Sequence, residues 1–223
     1  MTSVFLALFA GHDVLFQDAD VIWLRDPLAY FAEEADPAVD TFWMDDGART
    51  SRYAPYFANS GFYYLRANDR TKNLMYRMMQ SFDSIITFRS HQHVLDQHLI
   101  EHSSRFGLSV VTLDKQQFPQ GQVFHRSKST MQAFVDGRLR PYVFHMCWTA
   151  NEKDKLKYLQ NLGLWFLRPN CSEADFRGMF KLDASGEPVG DALRRRLTCD
   201  ACCAPTRPWV PNPDYVTRID LWS

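Results

Sequence analysis

Two aspartates follow a short apolar run near the start of the chain, and a histidine follows another apolar run much later. Asp18 and Asp20 come after residues 14–16, and His145 comes after residues 142–144. Side chains two apart on an extended chain point the same way, so both carboxylates are expected to face one ligand. Two carboxylates suit Mn²⁺ or Mg²⁺ bound to a diphosphate, and a neutral imidazole can also ligate Mn²⁺. Alternatively, the carboxylates cap the next turn and the histidine is a hydrogen-bonded core residue.

Further polar residues could line the same cleft, and each has a structural alternative. Asn59, Ser60 and Gly61 interrupt a strand-like run. There, Gly61 either lets the backbone approach a ligand or forms a bulge. Lys153 and Lys155 could neutralise a departing diphosphate, with Lys153 preferred for its proximity to His145 in sequence, or they belong to a solvated helix face.

Asp96 is the candidate active-site carboxylate on a predicted helix, with Gln97 as its hydrogen-bonding neighbour. The alternative is that Asp96 is only a helix-face residue among the histidines at positions 91, 93 and 98. The spacing of those three histidines, two and then five, does not provide the i, i+4 pair of a helical zinc site. We therefore do not predict zinc bound by that set.

The elements that must position these residues alternate between strand and helix, which predicts an α/β fold. Predicted strands cover residues 14–16, 21–24, 41–44, 57–65, 108–113 and 142–146. One helix is predicted from Asp26-Pro27 to about Ala35, with Asp26 as its N-cap. Further helices are predicted after Asn68 or Asp69, over 94–101, and over 153–162 before Gly163. The helix after Asn68 or Asp69 has an apolar stripe that is expected to lie in the core: Leu74, Met75, Met78, Met79, Phe82, Ile85 and Ile86.

Bulk composition excludes several classes of protein. The chain has 223 residues, 46% of them hydrophobic, which suits one domain with a core. A formal charge of −1 argues against a general nucleic-acid binder. No apolar stretch approaches the ~18 residues of a membrane span, and residues 4–10 make a poor signal peptide. Five cysteines, including the cluster 199–203, favour a disulfide over half of a zinc site and leave at least one thiol unpaired.

The segment 13–27, DVLFQDADVIWLRDP, resembles glycosyltransferase family 77, whose corresponding segment reads DVLFSDVDVVWLRDP. Three further blocks resemble the family in the same order: residues 59–66, Asp96-Gln97, and residues 145–149. The resemblance covers roughly residues 6–167. It implies a GT-A-type, Rossmann-like mixed sheet flanked by helices. Only 17 residues precede Asp18, so the first strand-helix units, which hold the nucleotide base, are expected to be missing. The expected domains are residues 1–170, the catalytic region, and residues 171–223, an extension rich in cysteine and proline.

The resemblance also implies a reaction and roles. The family transfers sugars from nucleoside-diphosphate sugars with retention, and it includes arabinosyl-, xylosyl- and galactosyltransferases. Asp20 would be the main Mn²⁺ (or Mg²⁺) ligand, Asp18 would contact the donor and the metal through water, and His145 would be the third ligand. The expected donor is a UDP-sugar, the expected acceptor is a glycan or glycoprotein, and the expected compartment is the Golgi lumen or the secretory pathway.

Two alternatives to this reaction remain. One is a non-catalytic glycan- or partner-binding remnant of such an enzyme. The other is a phosphoryl or nucleotidyl transferase that uses the same carboxylate pair. The second would need a glycine-rich phosphate loop, and neither G-x-x-x-x-G-K nor G-x-G-x-x-G occurs in the chain.

Overall fold

A computed structural model of the protein describes residues 1–165. The strands are β1 Val14–Gln17, β2 Val21–Trp23, β3 Thr41–Asp45, β4 Ala58–Leu65, β5 Val110–Thr112 and β6 Val143–His145. The helices are α1 Thr2–Phe9, α2 Pro27–Ala29, α3 Asp69–Gln80, α4 Phe82–Phe88, α5 His91–Phe106, α6 Gly121–Arg126, α7 Lys128–Val135 and α8 Glu152–Asn161. A π-helical turn, Tyr30–Glu34, continues α2, and a 3-10 turn covers Ser51–Tyr53. The predicted boundary at residue 170, the extension and four of the five cysteines lie outside the described residues.

The strands form two sheets. The larger has the order β1-β4-β3-β5; β3 and β5 are parallel, and its other pairs are antiparallel. The smaller pairs β2 with β6 antiparallel. The predicted α/β class with a mixed sheet and flanking helices is therefore confirmed. Among the described residues, β1 lies at an edge of the larger sheet, so the turn that follows it is open on one side.

Strand β4 shows how the larger sheet is buried on both faces. Successive side chains of a strand point to opposite faces. Accordingly, Tyr63 and Leu65 pack in one hydrophobic cluster with α3 and α5, while Phe62 and Tyr64 pack in another with Phe31. A third cluster fills the space beneath β6 and α8. The packed sheet thereby fixes the ends of β1 and β4, where the candidate site residues begin.

Two predicted helix starts are present. The Asp26 carboxylate accepts the Leu28 N–H at 2.9 Å, with Pro27 in the first turn. Asn68 begins α3 with a reciprocal capping box, because its side chain accepts the Thr71 N–H while the Thr71 hydroxyl accepts the Asn68 N–H. No helix within residues 1–165 has the length and apolar character needed to cross a bilayer.

The prediction of one long amphipathic helix after Asn68 is wrong at the C-terminal end of that helix. It stops at Gln80, and α4 begins after Ser81, whose φ of −97° and ψ of 25° depart from helical values. The break changes the direction of the apolar stripe, so that Phe82 is 53% exposed and Ile86 is 72% exposed. Only the first part of the stripe, with Leu74, Met75 and Met78, is buried in the core.

Candidate functional site

Asp18, Asp20 and His145 come together as the sequence predicted. Each offers one ligand atom, and the three atoms lie within 4.8 Å of one another. His145 Nε2 is 3.2 Å from Asp20 Oδ1 and 4.0 Å from Asp18 Oδ2. The imidazole is buried, whereas the Asp18 side chain is 52% exposed. The cluster is therefore closed on the protein side and open at Asp18.

The reason given for the carboxylate geometry needs correction. Asp18 and Asp20 do not lie on an extended strand, because β1 ends at Gln17 and the Val21 N–H donates to the Asp18 carbonyl at 3.3 Å across a turn. The turn is held from both sides. The Asp18 N–H donates to the Gly61 carbonyl at 2.7 Å, and Val21 pairs with His145 in the smaller sheet. This pairing, rather than strand alternation, aims both carboxylates at the histidine.

The pKa values of Asp20 and His145 are shifted in opposite directions by their mutual contact. Burial alone raises the pKa of Asp20, but hydrogen bonds from His145 and Lys155 outweigh burial and lower it to about 2. Burial alone lowers the pKa of His145, but Asp20 and the Cys147 thiol outweigh burial and raise it to about 9. The Nδ1 atom of His145 is buried and has no hydrogen-bond partner. The cluster thus holds an ionised carboxylate beside an imidazole whose ring lies almost entirely inside the protein.

Gly61 leaves space for the side chains of Asp18 and His145. A Cβ atom there would overlap His145 Cε1 and would lie 2.6 Å from Asp18 Oδ2 and 2.9 Å from Asn59 Oδ1. Its φ is not among the positive values of the chain, so the requirement is for space and not for an unusual backbone conformation. The close approach predicted for Gly61 is made by the candidate ligand side chains themselves.

Asn59 and Ser60 belong to a polar network that also contains two residues missed in the sequence. Asn59 Nδ2 and Gln92 Nε2 both donate to Asp46 Oδ1, at 2.9 and 3.0 Å. Gln92 Oε1 accepts the Ser60 N–H at 3.1 Å. Asp46 follows an apolar strand just as Asp18 does, which was a usable signal. Gln92 gave none, since an isolated glutamine near a helix start is unremarkable.

The two candidate catalytic residues on α5 differ in placement. Asp96 is 1% exposed, and its Oδ1 accepts the Ala58 N–H at 3.1 Å, at the start of β4. Burial raises the pKa of Asp96 to about 7, with a further contribution from Asp46. Gln97 is exposed, and its amide lies 3.4 Å from His93 Nε2. The structure therefore places Asp96 as a support for β4 and does not bring Gln97 to the cluster.

Of the two candidate lysines, Lys155 reaches the cluster. Its Nζ atom lies 2.5 Å from Asp20 Oδ2. Lys153, the preferred candidate in the sequence, is exposed at the start of α8. Residues two apart on a helix point in directions about 200° apart, so the two cannot both face the site. Proximity along the chain to His145 was a poor guide for this reason.

A cavity of about 310 Å³ adjoins the cluster. Phe16, Trp43 and Tyr63, from three neighbouring strands, supply much of its apolar wall, and Asp18 and Ser60 add polar groups. An apolar pocket with a few polar groups is typical of small-molecule sites. The cavity gives the open side of Asp18 a wall against which part of a ligand can pack.

Comparison with known proteins identifies the family. The profile of the nucleotide-diphospho-sugar transferases matches residues 6–159, which include the three candidate metal ligands. The chain belongs to this family. The matched region contains both strands that lead to Asp18 and His145.

Two curated proteins similar to this chain are named as glycosyltransferases. A UDP-galactose:fucoside alpha-3-galactosyltransferase of Dictyostelium discoideum is 22% identical over 196 residues, covering 78% of this chain and 28% of that protein. UDP-D-xylose:L-fucose alpha-1,3-D-xylosyltransferase 3 of Arabidopsis thaliana is 23% identical over 181 residues, covering 74% of this chain and 45% of that protein. The chain thus spans less than half the length of these two relatives.

Among solved structures, a glycosyltransferase involved in glycosylation of the major capsid of PBCV-1 is similar at 12% identity and a TM-score of 0.44. The similarity covers 71% of each chain. It is too low to support an argument about the site.

Proposed function

We propose that this chain carries the donor site of a metal-dependent, retaining glycosyltransferase. The donor is a UDP-sugar carrying arabinose, xylose or galactose, and the acceptor is a glycan or glycoprotein. The observation that supports this most directly is the convergence of Asp18, Asp20 and His145 beside Gly61. The family resemblance supports the retention of configuration and a place in the lumen of the Golgi or secretory pathway.

The residues at the cluster fit Mn²⁺ or Mg²⁺. Two carboxylates and one imidazole form a mixed oxygen and nitrogen set that suits Mn²⁺ better than Mg²⁺. His145 Nε2 faces both carboxylates, so a cation bound among the three side chains would compensate two negative charges that lie close together. When bound, the metal would polarise the diphosphate and compensate the charge that develops as the sugar leaves.

The chain itself positions the donor and stabilises the leaving group. Asp18, half exposed at the open side, contacts the donor ribose or sugar and reaches the metal through water. Asn59 and Ser60, fixed by Asp46 and Gln92, line the cleft near the transferred sugar. Lys155 supplies a fixed ammonium to the departing diphosphate, because it already lies beside Asp20.

Asp96 acts as a positioning residue in this proposal, and Gln97 stays the predicted hydrogen-bonding neighbour of Asp96. The carboxyl of Asp96 holds the backbone N–H of Ala58, immediately before Asn59. Replacement by asparagine keeps an acceptor oxygen, so Asp96→Asn is expected to bind UDP like the unchanged chain.

Calorimetric titration of UDP into the full chain, with and without Mn²⁺, tests the proposal. We expect binding that requires Mn²⁺ and that is lost in Asp20→Asn. Asp26→Asn is the matched control, because it changes an acidic residue of the same segment whose role is to cap α2. A folded chain that binds no UDP with Mn²⁺ would contradict the proposed donor site.

Turnover is then measured with UDP-arabinose, UDP-xylose and UDP-galactose, by release of UDP in the presence of glycan acceptors. Sugar transfer that depends on Asp20 supports the glycosyltransferase reaction. Mn²⁺-dependent binding of UDP without transfer to any acceptor would support the alternative, a binding protein that has kept the donor site.

A further inference from the structure

A second group of metal-binding side chains lies on helix α5, and the proposed donor site does not use it. His98, Glu101 and His102 each place one nitrogen or oxygen atom within 4.8 Å of the other two. Their spacing of three and four residues puts them on one face of the helix. The sequence argument that set aside the histidines at 91, 93 and 98 overlooked this i, i+4 pair.

The hydrogen bonds assign the tautomer of His98. The Ser81 hydroxyl donates to the Arg77 carbonyl at 2.8 Å, so its oxygen is left to accept from His98 Nε2 at 2.7 Å. His98 therefore carries its proton on Nε2. Its Nδ1 lone pair is on the other side of the ring, where Nδ1 lies 3.8 Å from Glu101 Oε2.

His102 provides a second lone pair. The residue is fully buried, and Nδ1 lies 2.9 Å from the His98 carbonyl, which can only accept. With the proton on Nδ1, the lone pair is on Nε2, which makes no hydrogen bond, although the Asn73 carbonyl lies near the ring and raises its pKa. A backbone carbonyl on one ring nitrogen is how many metal-binding histidines are fixed in tautomer and orientation.

Glu101 is oriented by a neighbour that leaves one oxygen available. Arg105 Nη1 holds Glu101 Oε1 at 3.1 Å, while Oε2 faces His98. Burial lowers the pKa of both His98 and His102, so both rings stay neutral and are competent as ligands. A cation placed among these residues would lie near one ligand atom of each.

We propose that His98, Glu101 and His102 bind a divalent transition-metal ion of the Zn²⁺ type, separately from the donor-site metal. Two nitrogens and one oxygen suit Zn²⁺, which takes four ligands. Ligand atoms about 3.4 Å apart fit bonds of ~2.1 Å in tetrahedral geometry, close to the 3.8 Å between His98 and Glu101. Glu101 is 42% exposed, so solvent can supply the fourth ligand.

The ion would stiffen the helix that supports the donor site. Its ligands span one turn of α5, and the hydrogen bond from His98 to Ser81 ties that turn to the break between α3 and α4. Two turns earlier, α5 carries Gln92, which bonds to Ser60. The ion thus has a structural role and makes no contact with the donor.

Zn²⁺ titration tests the site in the full chain with its thiols alkylated, which prevents binding by cysteine. Asp20→Ala serves as the background because it disables the donor-site cluster. We expect one Zn²⁺ per chain in this background and at least a tenfold loss of affinity in His98→Gln and Glu101→Gln. The matched control His93→Gln, on the same helix but outside the cluster, is expected to keep the affinity.

Two further measurements make the outcome decisive. The nitrogen-15 resonances of the His98 and His102 rings are expected to shift when Zn²⁺ is added. The resonances of the His93 ring are expected to stay unchanged. If His98→Gln fails to fold, Glu101→Gln still tests the site, because Glu101 is partly exposed and its substitution does not disturb the core. A folded background that binds no Zn²⁺, or equal affinity in Glu101→Gln, overturns the proposal and leaves a bound water as the partner of these acceptors.

Discussion

Asp20 and His145 meet at the end of the two-stranded sheet, with His145 Nε2 3.2 Å from Asp20 Oδ1. The contact joins a turn near the start of the chain to a strand more than a hundred residues later. Backbone hydrogen bonds reinforce it, since the Met146 N–H donates to the Asp20 carbonyl at 3.1 Å. The pair is therefore built into the fold, and substitutions around it have consequences that can be measured.

Gly61→Ala is expected to disrupt the cluster sterically. The added methyl group would overlap His145 and Asp18, so Mn²⁺-dependent UDP affinity should fall at least tenfold. Overpacking of this kind costs about 1–3 kcal/mol in the free energy of unfolding. Calorimetry and urea unfolding measure the two effects.

Gly137→Ala provides the control for that substitution. Its methyl group would meet nothing within 4 Å, but its φ of +70° imposes a modest backbone cost. We expect a small loss of stability with UDP affinity unchanged. Unchanged UDP affinity in Gly61→Ala would show that the donor does not bind at this cluster.

Lys155→Gln is expected to lower kcat/KM for sugar transfer by roughly 10–100-fold, because an ammonium group at the leaving diphosphate is lost. Lys153→Gln, two residues earlier on the exposed part of α8, should change it by less than about threefold. Steady-state kinetics with the preferred UDP-sugar compares them. Equal effects of the two substitutions would contradict the assignment of Lys155.

Asp40→Asn tests what holds β3, α3 and β5 together. The buried Asp40 carboxylate accepts two hydrogen bonds from Arg70 at 2.7 Å and one from the Ser109 N–H at 2.9 Å. Burial raises its pKa, but Arg70 and Ser109 outweigh burial and hold the pKa below its usual value. Loss of the charge should lower the free energy of unfolding by about 1–2 kcal/mol at pH 7, because Arg70 is half exposed and solvent screens the pair.

The pH dependence of that difference follows from the lowered pKa of Asp40. A carboxyl with a lowered folded-state pKa contributes stability that is complete above its unfolded value, near pH 4, and that disappears as the pH falls through the folded value. The gap between the unchanged chain and Asp40→Asn should therefore narrow below about pH 4 in urea unfolding. Asp136→Asn, at an exposed ion pair, should change stability much less than Asp40→Asn at every pH.

Local signals in the sequence predicted the features that depend on neighbouring residues. Asp26-Pro27 and Asn68 begin helices because capping involves only the next few residues. The grouping of Asp18, Asp20 and His145 came from the family resemblance as well as from strand ends, and the structure brings these residues together.

Features that depend on distant contacts were missed. The end of α3 follows from Ser81, whose hydroxyl bonds to His98 on another helix, and the apolar pattern continued regardless. Gln92 became part of the site only because α5 packs beside β4. The choice between Lys153 and Lys155 depended on the rotation of α8, which a sequence pattern defines only when one face is strongly apolar.

The distance along the chain between Asp20 and His145 also dictates an order of events during synthesis. A ribosome releases the two aspartates long before it releases the histidine, and the smaller sheet needs both of its strands. A metal ion at the proposed donor site could therefore be captured only after most of the described region has emerged. Mn²⁺ binding would then report completed folding of this region, and a chain interrupted before β6 would be unable to hold the ion.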